Sequence, residues 1–95
     1  MFYTLFHSPW QCDFDSLILL LQEGDDLLLL QDGVTAALKN SQMYLKLNTT
    51  LANLWILEED VIARGLVTQI SSQVLLLNYA GFVELTIKNQ QQVAW

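Results

Sequence analysis

The sequence has one cysteine (Cys12), one histidine (His7) and one proline (Pro9). A lone thiol forms no internal disulfide, so a secreted disulfide scaffold is excluded. Any metal site would have to combine His7, Cys12 and carboxylates without the ligand spacing of zinc sites, and no metal is expected. Positive charge is equally scarce. Arg64 and three lysines stand against ten carboxylates, for a net charge of −6. Nucleic-acid binding draws on Lys/Arg clusters that release counterions from phosphates, and anionic membranes attract the same clusters. With no such cluster here, neither is a direct partner. The longest apolar run, Leu17 to Leu21, is five residues, against roughly 20 for a spanning helix. Met1 to Phe6 is apolar but lacks the basic start and small-residue cleavage site of a secretory signal. The expected location is the cytoplasm.

Apolar material is what the chain has in abundance. Hydrophobic residues make up 53% of its 95 residues and charged ones 15%. A single domain of this size buries only about 60–70% of the surface its unfolded chain exposes. The surplus points to a partner surface. We read residues 1–95 as one domain, with no internal repeat or linker.

The most informative stretch runs from Glu23 to Ala37. Leu27 to Leu30 is too short for a membrane and too uniformly apolar for a strand with one wet face. Bounded by Asp/Gly pairs on either side, it reads as the centre of a strand, Asp26 to Gln31, covered on both faces as in a parallel sheet. The same logic assigns strands at residues 2–6, 54–57 and 74–77, with a short last one at 93–95. Pro9 ends the first. Between them, Asp13 or Asp15 caps a helix whose Phe14, Leu17, Ile18 and Leu21 share a face. A second helix starts near Gly33 and turns Val34, Ala37 and Leu38 inward. Glu58-Glu59-Asp60 supply the acidic first turn of a third, closed by Gly65. Residues 43–53 fit either a helix or a loop. Residues 78–89 carry both the period of a strand and that of a helix, and strand–helix alternation favours the helix. Gln90-Gln91-Gln92 is a polar break. The expected fold is a three-layer α/β/α sandwich with a mostly parallel sheet of four to five strands.

Ligands of open α/β sheets gather at the carboxyl ends of the strands, which makes His7, Asp32 and Glu58 candidates for a small-molecule site. Each has a plainer role. His7 closes a strand, Asp32 caps the following turn, and Glu58, Glu59 and Asp60 offset a helix dipole. Asp32-Gly33-Val34-Thr35 lacks both the G-x-G-x-x-G spacing and the Walker lysine of phosphate loops. Cys12 stands before a helix N-terminus, which favours a thiolate, but Asp13 and Asp15 oppose it and no cation lies nearby in sequence. It is the sole candidate nucleophile or sulfur carrier, and no catalytic residue or cofactor is otherwise expected. Trp10, after Pro9, and Trp95, at the end of the chain, lack an obvious core position and are the expected interface anchors.

Five segments together carry a family resemblance: His7-Ser8-Pro9-Trp10, Glu23 to Ala37, Ile62-Ala63-Arg64-Gly65, Tyr79 to Thr86 and Val93-Ala94-Trp95. In order and spacing they resemble the TusB/DsrH family across essentially the whole chain. The resemblance implies a DsrE-like fold and a small subunit of a TusBCD-type complex, a dimer of heterotrimers. TusC-like and TusD-like subunits would complete that heterohexamer. It would pass persulfide sulfur to a TusE-like acceptor, toward 2-thiouridine at the tRNA wobble position. The reactive cysteine of such a complex belongs to the TusD-like subunit. The DsrH branch carries a cysteine in the first helix. Here that neighbourhood reads Ser16-Leu17-Ile18, and Cys12 lies about a turn earlier.

Overall fold

The structure, a computed structural model, describes residues 1–89 and 91–95, so the Gln90 position of the polar break lies outside the described residues. Five strands form one sheet: β1 (Phe2–Leu5), β2 (Asp26–Leu29), β3 (Asn53–Leu57), β4 (Leu75–Leu77) and β5 (Gln92–Ala94), in the order β4-β3-β2-β1-β5. Every pairing is parallel. The helices are α1 (Phe14–Leu20), α2 (Gln42–Asn48), α3 (Glu58–Ala63) and α4 (Tyr79–Lys88). The α/β sandwich read from the sequence is the observed fold.

Successive strand residues point to opposite faces of a sheet, and the core divides accordingly. Tyr3, Leu5, Leu27, Leu29 and Ile56 pack with Phe14 and Leu17 of α1, Tyr44 and Leu47 of α2 and Val61 of α3. Phe2, Leu28, Leu30 and Leu57 pack on the other side against Leu85 and Phe82 of α4. Among the described residues, three helices thus cover one face and a single helix the other. The four leucines of the central stretch, all buried, feed both layers.

Local signals account for the helix ends. Asp13 caps α1 by accepting the Ser16 N–H, Ser41 caps α2 by accepting that of Tyr44, and Asn78 caps α4 by accepting that of Gly81. The α2 cap settles the region that sequence patterning left open. The helix expected near Gly33 is instead a 3-10 helix, Gln31–Ala37, and β2 stops at Leu29, short of Gln31. Two backbone facts cause this. Gln31 takes φ +51°, the left-handed region, which turns the chain abruptly out of the strand. Gly33 then lies so close to β1 that a Cβ there would meet the Leu5 carbonyl oxygen at 2.1 Å.

Candidate functional site

The carboxyl edge of the parallel sheet is where a ligand site is sought first. Here its groups are spent on one another. The Gln31 N–H donates to Asp60 Oδ2 at 2.6 Å, which joins the β2 exit to α3 and holds the left-handed turn. Arg64, the only arginine, reaches Asp32 Oδ1 at 3.2 Å and Asp60 Oδ1 at 3.9 Å. The Tyr79 N–H donates to Glu59 Oε2 at 3.0 Å, tying the start of α4 to α3. His7 Nδ1 lies 3.2 Å from the Trp95 carbonyl oxygen, which also accepts the Phe6 N–H at 3.1 Å. His7, Asp32 and Glu58 therefore stand at three neighbouring strand exits, as expected from the sequence. The contacts of His7 and Asp32 are structural ties.

Cys12 is half-buried and packs against the edge of the main core. Burial pushes its pKa up, and the Asp13 carboxylate pushes it further in the same direction. Asp13 keeps its charge because the Ser16 hydroxyl and N–H both donate to it, at 2.6 and 3.2 Å, and lower its pKa. Both effects favour the protonated thiol over the thiolate, which is the nucleophilic form. Among the described residues no group of three or more His, Cys, Asp or Glu is placed to hold a metal ion. Among the same residues no helix is long and apolar enough to cross a membrane.

The two tryptophans proposed as anchors occupy different environments. Trp10 is 61% exposed in the loop before α1. Trp95 is half-buried and packs against the main core, with its indole N–H donating to the Asp13 carbonyl oxygen at 2.9 Å. Its position extends β5 beside β1, where its backbone N–H donates to the Thr4 carbonyl oxygen.

Two features were missed in the sequence. The first is Asp26, buried at the amino end of β2, which accepts from Trp55 Nε1 and Asn53 Nδ2, both at 3.1 Å, with Lys88 Nζ of α4 at 3.6 Å. Burial alone would raise its pKa, yet the Trp55 and Asn53 hydrogen bonds and the Lys88 charge outweigh it and hold the carboxyl below its usual value. The second is exposed apolar surface. On α4, Tyr79, Val83 and Ile87 form an outer stripe four residues apart, and on β4 both Leu75 and Leu76 are exposed. The i, i+4 spacing was legible, but only once the segment is known to be a helix.

A family model described as "DsrH like protein" matches residues 7–92. Proteins named TusB from Yersinia pestis and Yersinia pseudotuberculosis are 54% identical over 95 residues, covering all of this chain and all of theirs. A Thermotoga maritima protein solved in solution by NMR superposes with a TM-score of 0.68 at 24% identity, covering 96% of this chain and 97% of its own. That likeness speaks for the fold alone.

Proposed function

Because this chain belongs to the DsrH-like protein family, we propose that it is a non-catalytic subunit of a cytoplasmic sulfur-relay complex serving tRNA thiolation. In this reading it joins TusC-like and TusD-like subunits in a heterohexamer. The complex passes persulfide sulfur to a TusE-like acceptor, and the relay ends in 2-thiouridine at the wobble position. The chain contributes surface and scaffolding, and the reactive thiol belongs to a partner.

The observation that carries the non-catalytic role is the state of Cys12. A sulfur carrier attacks a persulfide as a thiolate and needs a cation or helix dipole to hold that charge. Cys12 stands just before the Asp13 cap of α1, yet burial and the Asp13 carboxylate both favour the protonated thiol. The apolar side chains left exposed at Trp10, Leu75, Leu76, Tyr79, Val83 and Ile87 support a subunit role.

The test is sulfur transfer by the assembled complex. Complexes carrying Cys12→Ser in this chain are expected to pass sulfur to the acceptor at the wild-type rate, within about twofold. Loss of transfer with assembly intact would make Cys12 a carrier and overturn the assignment. Failure of the chain to bind the two other subunits at all would remove the subunit role itself.

A further inference from the structure

Of the carboxylates in the first turn of α3, two are committed. Asp60 accepts the Gln31 N–H and faces Arg64, and Glu59 accepts the Tyr79 N–H. Glu58 differs. Among the described residues the ion pairs fall on Asp15, Asp25, Asp26, Asp32 and Asp60, and Glu58 is in none of them. It is half-buried and lines an open groove of about 480 Å³ on the flank of the sheet, between α3 and β4. Small-ligand pockets run from about 300 to 1,000 Å³.

The groove is held open by its surroundings. Residues 66–74, which close its side between α3 and β4, are pinned at both ends of their first half. The Leu66 N–H donates to the Val61 carbonyl oxygen at 3.1 Å. The Lys39 N–H donates to the Gln69 carbonyl oxygen at 2.8 Å and the Ser71 N–H to that of Ala37 at 3.0 Å, around the antiparallel bridge of Leu38 with Ile70. A site fixed in this way does not have to be ordered by its ligand. The lining is mainly apolar, and Ile62, Val67 and Leu76 within it are each more than half exposed. Those three are apolar surface that an occupant would remove from water.

Filling the groove would strip water from Glu58 as well. Desolvating a carboxylate is costly unless a cation or a donor replaces the water. The chain has no cation to supply there. Residues 65–83 carry no charge, and Arg64 is held by Asp32 and Asp60. The start of α3 does not substitute for one, since Glu59 and Asp60 already stand in its first turn against about half a positive charge at a helix N-terminus. A neutral apolar occupant would leave the carboxylate dry and unpaired, and an anionic one would be repelled. The cation must therefore arrive with the occupant. We propose that the groove is a binding site for a small amphipathic amine, whose ammonium pairs with Glu58 and whose apolar body covers Ile62, Val67 and Leu76. The site is independent of the sulfur-relay reading.

The experiment is a titration of the purified full-length chain with 2-phenylethylamine at pH 7, followed by methyl NMR. Two probes with the same apolar body run beside it, neutral 2-phenylethanol and anionic 3-phenylpropanoate. The amine is expected to shift the Ile62, Val67 and Leu76 methyl resonances with a Kd below about 1 mM. The alcohol should bind about 10-fold more weakly, and the acid should not bind. Glu58→Gln, with folding checked by circular dichroism, is expected to bring the amine down to the level of the alcohol. Glu84→Gln removes an exposed carboxylate on α4 and should leave amine affinity within about twofold of wild type. The three probes on the wild-type chain need no variant. Groove methyls that stay put up to about 10 mM amine overturn the proposal, as does an alcohol or acid that binds as tightly as the amine. A folded Glu58→Gln chain that keeps wild-type affinity overturns it too, as do shifts spread over the acidic surface, the mark of loose ion condensation. A capped lysine tripeptide that binds where the small amine does not would make the occupant a protein segment and overturn it equally. The readout uses this chain alone and is blind to sulfur transfer, so its failure leaves the sulfur-relay assignment standing, and the reverse holds too.

Discussion

Asp26 offers the sharpest test of how the thinly covered face of the sheet is held. Its carboxylate is buried and accepts two hydrogen bonds of 3.1 Å, from the Trp55 indole and the Asn53 amide, while Lys88 reaches it from the last turn of α4. Since α4 is, among the described residues, the one helix on that face, the group ties this cover to the sheet beneath it. Hydrogen bonds to a charged acceptor contribute about 1.5–3 kcal/mol each, which bounds the pair at roughly 3–6 kcal/mol. After truncation, exposed Asn53 and half-buried Trp55 regain water, so Asp26→Ala is expected to cost about 2–3 kcal/mol. A domain of this length has a total stability of roughly 5–14 kcal/mol. The loss should lower Tm by about 10–20 °C.

The pH dependence separates this account from simple loss of packing. The folded-state pKa of Asp26 lies below the unfolded value because hydrogen bonds from Trp55 and Asn53, with Lys88, outweigh the opposing effect of burial. A depressed carboxyl pKa stabilises the fold above the unfolded value, about 3.9, and that contribution is lost as pH falls through the folded value. Asp26→Asn keeps the shape and discards the charge. Urea unfolding followed by tryptophan fluorescence should show wild type ahead of Asp26→Asn at pH 6, with the gap closing toward pH 3. A gap of equal size at both pH values, or a cost of Asp26→Ala below about 0.5 kcal/mol, would refute the reasoning.

Other outcomes follow from the geometry. Gly33→Ala places a Cβ 2.1 Å from the Leu5 carbonyl oxygen and 2.8 Å from its carbon, both backbone atoms that cannot rotate away. It should cost about 3 kcal/mol or more, read as the shift in urea midpoint. Gly24→Ala meets no neighbour within 4 Å and carries only the strain of φ +90°, about 1–2 kcal/mol. Cys12, its pKa raised by burial and Asp13, should react with iodoacetamide more slowly than free cysteine near neutral pH, with a pH–rate midpoint above that of the free thiol. Trp10→Ala should leave the urea midpoint within about 0.5 kcal/mol of wild type and, on the proposed function, weaken binding to the proposed TusC-like and TusD-like subunits, measured by calorimetry. Trp95→Ala, which also loses the indole bond to the Asp13 carbonyl oxygen, should lower stability as well.

The strands were legible because buried parallel strands are written as unbroken apolar runs, and Leu27 to Leu30 is the plainest of them. α1 was legible because Asp13 and the Phe14–Leu17–Leu21 spacing agree. α4 was ambiguous for a physical reason. It carries Phe82 and Leu85 inward but also Tyr79, Val83 and Ile87 outward, so apolar residues on both sides erase the contrast that marks a helix. The 3-10 helix after β2 was not legible, since it depends on the approach of Gly33 to Leu5 across the sheet. α2 was hidden because residues 43–53 fit a loop as well as a helix; Thr49 and Thr50 turn their hydroxyls back to the Lys46 and Leu47 carbonyls and close it. Asp26 passed as the first residue of a strand. The groups that meet at its carboxylate come from positions 53, 55 and 88, a convergence no local pattern records.

The unequal layers follow from the order of the strands. From β1 to β4 the chain moves three times in one direction across the sheet, and then returns once past β1 to β5. Crossovers of constant hand place the first three connections on one face and the last on the other. The three-helix side becomes a full core and the one-helix side cannot, so apolar residues at its margin stay open: Leu75 and, on the outside of its single helix, Tyr79, Val83 and Ile87. Meanwhile the strand exits, the usual home of chemistry in such sheets, are tied up by Asp60, Arg64, Glu59 and the Trp95 carbonyl. What this topology leaves available is flank surface rather than a mouth. With burial and Asp13 both opposing a thiolate at its one cysteine, that division suits the proposed subunit role, in which another chain would carry the sulfur.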